Sequence, residues 1–321
     1  VSVRLSRSAR IAALATAAAL TMAACGGGSG STSGDGALKS VTVEGGNDQQ
    51  APTVTIADQP LKVDETTTSA LTAGDGQSST DKTWVSVDYV LLNGRDGKVL
   101  EETYKGDPVP FDLSSSQLIP GIKKSLTGQK ADSRVISAVP PKDAFGDQGN
   151  ASAGVEKDDT LVFAFDVRKV LQPLTKAEGE TVKPKSGLPK VTQPDGKPAT
   201  FVMPKGTPPK NTQVQPLIKG DGDKITKGDT VIVNYTGALW KNGKVFDSSL
   251  KADRGAFSFQ VGAEQAQVIK AWNDDLIGQT VGSRVLLVVP PKDGYGSTGS
   301  SDGSIKGTDT IVFSIDILGT I

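Results

Sequence analysis

The fold is decided by two neighbouring runs, Val231-x-Val233-x-Tyr235-Thr236-Gly237 and Gly243-Lys244-Val245-Phe246-Asp247-Ser248-Ser249. Val231, Val233 and Tyr235 fall at every second position, the period of a strand that buries one face. The pattern occurs twice. Val85-x-Val87-x-Tyr89 and Gly97-Lys98-Val99-Leu100-Glu101 lie 146 residues earlier, and Gly74-Asp75-Gly76 precedes them as Gly220-Asp221-Gly222 precedes the second copy. Further on the offset becomes 150. Leu118-Ile119 answers Val268-Ile269, and Ser133-Arg134 answers Ser283-Arg284. Pro140-Pro141-Lys142-Asp143 then matches Pro290-Pro291-Lys292-Asp293, and Leu161-Val162-Phe163 matches Ile311-Val312-Phe313. The second copy carries extra residues after Asp247, and the chain reads as one domain duplicated.

Composition narrows the chemistry. The 321 residues hold 35 Lys+Arg against 36 Asp+Glu, a net charge of -1 without the basic surplus of a nucleic-acid binder. No histidine occurs, which excludes Ser-His-Asp and Cys-His catalysis and imidazole metal ligation. The single cysteine, Cys25, excludes intrachain disulfides and CxxC redox chemistry. No cofactor is expected. What is left is catalysis by hydroxyls, carboxylates or the environment of a pocket.

Short strands and turns account for most of the pattern, as Gly 37 and Pro 18 suggest. Arg284 to Val289 reads as a continuous β-branched run stopped by Pro290-Pro291, and the stretch Thr310 to Leu318 alternates and closes the copy. One short helix per copy is expected. Val268, Ile269, Trp272 and Leu276 share a helical face before Gly278, and Pro120 stands where a first turn begins. Antiparallel strands with one helix on a face make an α+β domain.

Residues 1–25 read as a processing signal: Arg4, Arg7 and Arg10, then an apolar stretch from Ile11 to Met22, too short to span about 30 Å of hydrocarbon. Met22-Ala23-Ala24-Cys25 resembles a bacterial lipobox, which implies lipidation of Cys25 and a place on the extracytoplasmic face of the cell membrane, or secretion if the lipobox is not used. Residues 26–37 are a Gly/Ser-rich tether. The expected domains are 38–171 and 217–321, joined by a Pro/Lys-rich linker over 172–216 that lacks the apolar surface to fold on its own.

The second copy continues with Phe257-x-Phe259-x-Val261-Gly262, Val268-Ile269-x-x-Trp272 and Gly294-Tyr295-Gly296 before Phe313. In order and spacing this set closely resembles the FKBP-type peptidyl-prolyl isomerases, well over 217–321 and more loosely over 80–171. The resemblance implies two domains, each a twisted antiparallel sheet wrapped around one short helix. It implies a pocket floored by Trp272 and walled by Tyr235, Phe246, Phe257, Val268, Ile269 and Phe313. Asp247 would sit at the rim, and Ile305 would close the loop side. The Tyr295 phenol and the backbone N–H of Ile269 would hold substrate carbonyls. Proline-containing exported polypeptides would be substrates and macrolide-type inhibitors ligands.

In the first copy Tyr89, Leu118, Ile119 and Phe163 keep their places, while Leu100, Glu101, Val109, Ile122 and Phe145 replace Phe246, Asp247, Phe257, Trp272 and Tyr295. That copy is expected to isomerise poorly and to bind chains or position its neighbour. The competing reading of the whole protein is a lipid-anchored chaperone that grips apolar segments without turnover.

Overall fold

The computed structural model describes residues 32–251 and 254–321. The chain forms two compact units that part between Val170 and Leu171. Cys25, the segment before it and the glycine-rich run as far as Ser31 lie outside the described residues. Among those described, no helix is long and apolar enough to cross a membrane.

The first unit contains β1 (Thr32–Ser33), β2 (Val41–Glu44), β3 (Thr53–Ile56), β4 (Thr67–Thr72), β5 (Trp84–Asn93), β6 (Val99–Glu102) and β7 (Val109–Asp112). The helix α1 (Pro120–Leu126) follows, then β8 (Arg134–Val139) and β9 (Leu161–Leu171). Its main sheet has the order β4-β8-β9-β5-β6, with β7 also paired to β5.

The second unit contains β10 (Glu180–Thr181), β11 (Lys190–Thr192), β12 (Thr200–Val202), β13 (Gln213–Lys219), β14 (Thr230–Leu239), β15 (Val245–Ser248) and β16 (Phe257–Gln260). After α2 (Lys270–Asp275) come β17 (Arg284–Val289) and β18 (Ile311–Thr320). Its sheet runs β10-β13-β17-β18-β14-β15, with β16 also on β14.

The duplication extends to register. Ser137 pairs with Phe163 as Leu287 pairs with Phe313, and β5 and β14 are both bulged, at Leu91/Leu92 and Gly237/Ala238. Each unit is the expected α+β domain, an antiparallel sheet with one short helix against its inner face. In the second, Val231, Val233, Phe313, Ile315 and Ile317 from the strands pack with Ala271, Trp272 and Leu276. The helix itself is shorter than the apolar spacing suggested. Ile269, with extended backbone, caps its start, so Val268 and Ile269 stand ahead of it rather than on it.

The expected linker is corrected by the structure. Residues 172–216 form β10 and the start of β13, which extend the edge of the second sheet, and the β11–β12 hairpin, part of an arm that packs on its outer face. Leu188, Val191, Phe201 and Met203 of this segment, with Leu217 of β13, pack against Trp240, Leu286, Val288 and Val312. The segment cannot bury apolar surface against itself, but the sheet supplies the partner surface. The first unit repeats the device, with Leu38, Val41, Val43 and Ile56 covering Val90, Leu92, Ile136 and Val162. There the tether, too, ends earlier than expected: β1 pairs with β2, and Gly34 is buried where a Cβ would stand 2.5 Å from Ile136 Cδ1.

Candidate active site

Trp272 is 4% exposed and lies at the centre of a box of rings. The Tyr235 and Phe313 centroids are each 5.0 Å from it, at 80° and 76°. Phe257 stands at 6.3 Å and 61°, and Phe246 meets Phe313 edge-on at 5.8 Å and 88°. Edge-to-face contacts of this kind set the positive edge of one ring on the negative face of another, and they fix the walls. Strand alternation delivers these side chains: Tyr235 from β14, Phe257 from β16 and Phe313 from β18 all point to the inner face. Val268 and Ile269 pack partly buried against the same cluster, and Ile305 is buried in it. The indole Nε1 of Trp272 is buried with no acceptor among the described residues.

The rim is polar. The Tyr235 hydroxyl donates to Asp247 Oδ2 at 2.6 Å, and Arg254 Nη1 donates to Asp247 Oδ1 at 2.7 Å. Burial, then the hydrogen-bonded carboxylate, pushes the Tyr235 phenol up from its ordinary value. Tyr295 is 40% exposed, and partial burial with the nearby Asp247 and Asp302 carboxylates raises its phenol as well. The structure thus gathers every second-copy residue named from the sequence: Tyr235, Phe246, Asp247, Phe257, Val268, Ile269, Trp272, Tyr295, Ile305 and Phe313. What they form is an apolar cluster of rings bordered by hydroxyls and one carboxylate.

Three residues were given no role in the site from the sequence, although Gly237 and Phe259 stand within its motifs. Arg254 lies in a stretch with no repeat partner in the first copy, so internal comparison could not flag it. Phe259, 3% exposed, sits 5.3 Å from Trp272 and backs the floor. Gly237 leaves room for two rings, because a Cβ there would come within 2.6 Å of Phe246 and 2.7 Å of Phe313.

The first unit assembles its counterparts differently. Burial and the nearby Glu101 carboxylate, at the Asp247 position, raise the Tyr89 phenol. Behind it, Phe165 stacks on Phe163 at 4.9 Å and 5°, and stands 6.0 Å from Tyr89. Phe165 occupies the repeat position of Ile315, and Ile122 that of Trp272. The large ring has moved from helix to strand. Leu91, at the Gly237 position, packs with Leu100, Val109, Leu118, Ile119 and Phe145 against the same core.

Known proteins carry the same pattern. The profile of FKBP-type peptidyl-prolyl cis-trans isomerases matches residues 76–168 and 222–318, more than half of the chain. An FK506-binding protein of Streptomyces anulatus is 35% identical over 117 residues, covering 36% of this chain and 91% of that one. FK506-binding protein 2 of Emericella nidulans is 43% identical over 96 residues, 30% of this chain and 67% of its own. A probable FKBP-type peptidyl-prolyl cis-trans isomerase of Haemophilus influenzae is 32% identical over 181 residues, 55% of this chain and 70% of its own. With the aromatic box, the duplicated sheet and these matches together, the chain belongs to the FKBP-type peptidyl-prolyl cis-trans isomerase family.

Proposed function

We propose that the second domain accelerates rotation about Xaa-Pro bonds in exported polypeptides without forming a covalent intermediate. The observation that carries this reading is the set of rings packed around Trp272 with the Tyr235–Asp247–Arg254 hydrogen bonds at its edge. Amide resonance sets a rotation barrier of about 18–20 kcal/mol, and uncatalysed exchange takes tens of seconds. At the twisted state conjugation is lost and the amide becomes less polar. A slot lined by Trp272, Phe313, Phe246 and Phe257 favours that state over the hydrated planar amide.

The pyrrolidine ring would rest on Trp272. The Tyr295 hydroxyl and the Ile269 N–H, standing ahead of α2, would hold the flanking carbonyls. Macrolides such as FK506, named in the relatives, would compete for the same slot. In the first domain the Phe163–Phe165 stack takes up the volume behind Tyr89, and there we assign chain binding with weak isomerisation.

Attachment to the outer membrane face through lipidated Cys25 is part of the proposal. It rests on the sequence Met22-Ala23-Ala24-Cys25, and labelling with a radioactive fatty acid, lost in Cys25→Ser, tests it.

The functional test is cis-to-trans exchange of short Xaa-Pro peptides by the full chain, beside Tyr295→Phe and Trp272→Leu with folding checked by circular dichroism. Acceleration that falls several-fold in both variants is the expected result. A folded wild-type chain that binds such peptides but leaves their exchange rate unchanged would overturn isomerisation in favour of a peptide-gripping chaperone.

A further inference from the structure

The arm on the outer face of the second domain reaches the back of the two strands that carry the rim pair. Ala199, 1% exposed, donates its backbone N–H to Thr236 Oγ1 at 3.0 Å. Thr236 Oγ1 lies 3.1 Å from Ser248 Oγ, and both side chains are completely buried. Ser248 Oγ donates its proton to the carbonyl of Tyr235 at 2.7 Å. A hydroxyl has one proton, so the bond between Thr236 and Ser248 must run from Thr236 to Ser248. A directed chain results: Ala199 N–H to Thr236, Thr236 O–H to Ser248, Ser248 O–H to Tyr235 C=O. Its members adjoin Tyr235 on β14 and Asp247 on β15, whose side chains share the 2.6 Å bond on the other face. On the next strand Gln193 of the arm accepts from Ser314 Oγ at 2.7 Å, directly after Phe313.

The first domain separates what the fold needs from what this site has added. Ser249 Oγ accepts from Tyr235 N at 3.0 Å, and its repeat partner Thr103 accepts from Tyr89 N at 2.9 Å. That bond belongs to both copies and therefore to the fold. The Thr236 and Ser248 positions are Val90 and Glu102 in the first copy, where Val90 meets its own arm through apolar packing. The hydroxyl chain is present only in the copy with the complete ring box. We infer that Thr236 is a positioning residue for catalysis, linking the arm at Ala199 to the setting of Tyr235 against Asp247.

The inference rests on the isomerase reading of this domain. Thr236 follows Tyr235 on β14 and so lies on the opposite face of the strand, away from the rings that would hold the proline, and its loss is expected to fall on the turnover step rather than on binding. In the full chain, Thr236→Val keeps the β-branched shape and breaks the chain at its middle, while Thr236→Ser retains the hydroxyl. The expected result is a drop of about 10-fold in kcat for Thr236→Val at unchanged KM, with a folded fraction close to wild type and kcat restored in Thr236→Ser. A wild-type rate that Thr236→Val leaves intact, a loss confined to KM, or a loss that follows the folded fraction would overturn the positioning role and leave the isomerase reading standing. A folded wild-type chain without acceleration would overturn both.

Discussion

Asp247 is held from two sides, by the phenol of Tyr235 and the guanidinium of Arg254, and this decides how the site responds to pH. A buried phenol that donates to a carboxylate keeps its proton above the usual tyrosine value, because ionisation would set two negative charges side by side. Tyr295 is shifted in the same direction by partial burial and by Asp247. Both hydroxyls remain donors through neutral and mildly alkaline solution, and no histidine exists to titrate there. The value of kcat/KM is accordingly expected to stay level between about pH 6 and 9. A bell-shaped profile in peptide assays over that range would contradict this account of the rim. At the same scale, Trp272, Tyr235 and Asp247 were legible as letters of an ordered motif. Arg254 was not, since its segment is absent from the first copy and only the folded chain brings it to Asp247.

Elements explain why two copies of one fold differ in their pockets. In the second domain the large ring is on the helix, at Trp272, and the strand opposite carries Ile315. In the first, the helix carries Ile122 and the strand Phe165, which is completely buried. The large side chain thus comes from the helix in one copy and from the facing strand in the other, and close packing leads us to expect that the two share one volume. Ile122→Trp alone is therefore expected to overpack the first domain and to destabilise it by about 1–3 kcal/mol. Adding Phe165→Ile should recover most of that loss. Denaturant melts of the full chain, with the two single variants and the double, would measure the coupling; additive losses would show that the two positions do not share one volume. The substitution of Ile122 for Trp272 was visible in the sequence. Its compensation was not, because Phe165 reads as another apolar strand residue until the stacking with Phe163 is seen.

Over the whole chain, both domains close the outer face of the sheet with residues that precede the repeat. A signal for this existed in the apolar run from Val285 to Val289, since a strand apolar at every position is buried on both faces. What the run could not say is which segment covers it. A fragment starting at residue 217, the boundary suggested by sequence, would uncover Trp240, Leu286, Val288 and Val312. Each stands to lose at most about 1.5–3 kcal/mol of burial. That fragment is expected to melt well below one covering 171–321 and to aggregate on concentration. Equal melting temperatures and equal solubility for the two fragments would refute a structural role for the arm.

The sequence alone determined the duplication, the α+β class, the family and the membership of the ring box. These depend on local periodicity and on residues kept at fixed spacing, which survive as a pattern whether or not the chain is folded. Tertiary structure decided where the Pro/Lys-rich segment goes, how Arg254 and Gly237 serve the site, and which element fills the first pocket. Each of those depends on surfaces and volumes that come together only when distant strands pair, so no stretch of sequence carries them by itself.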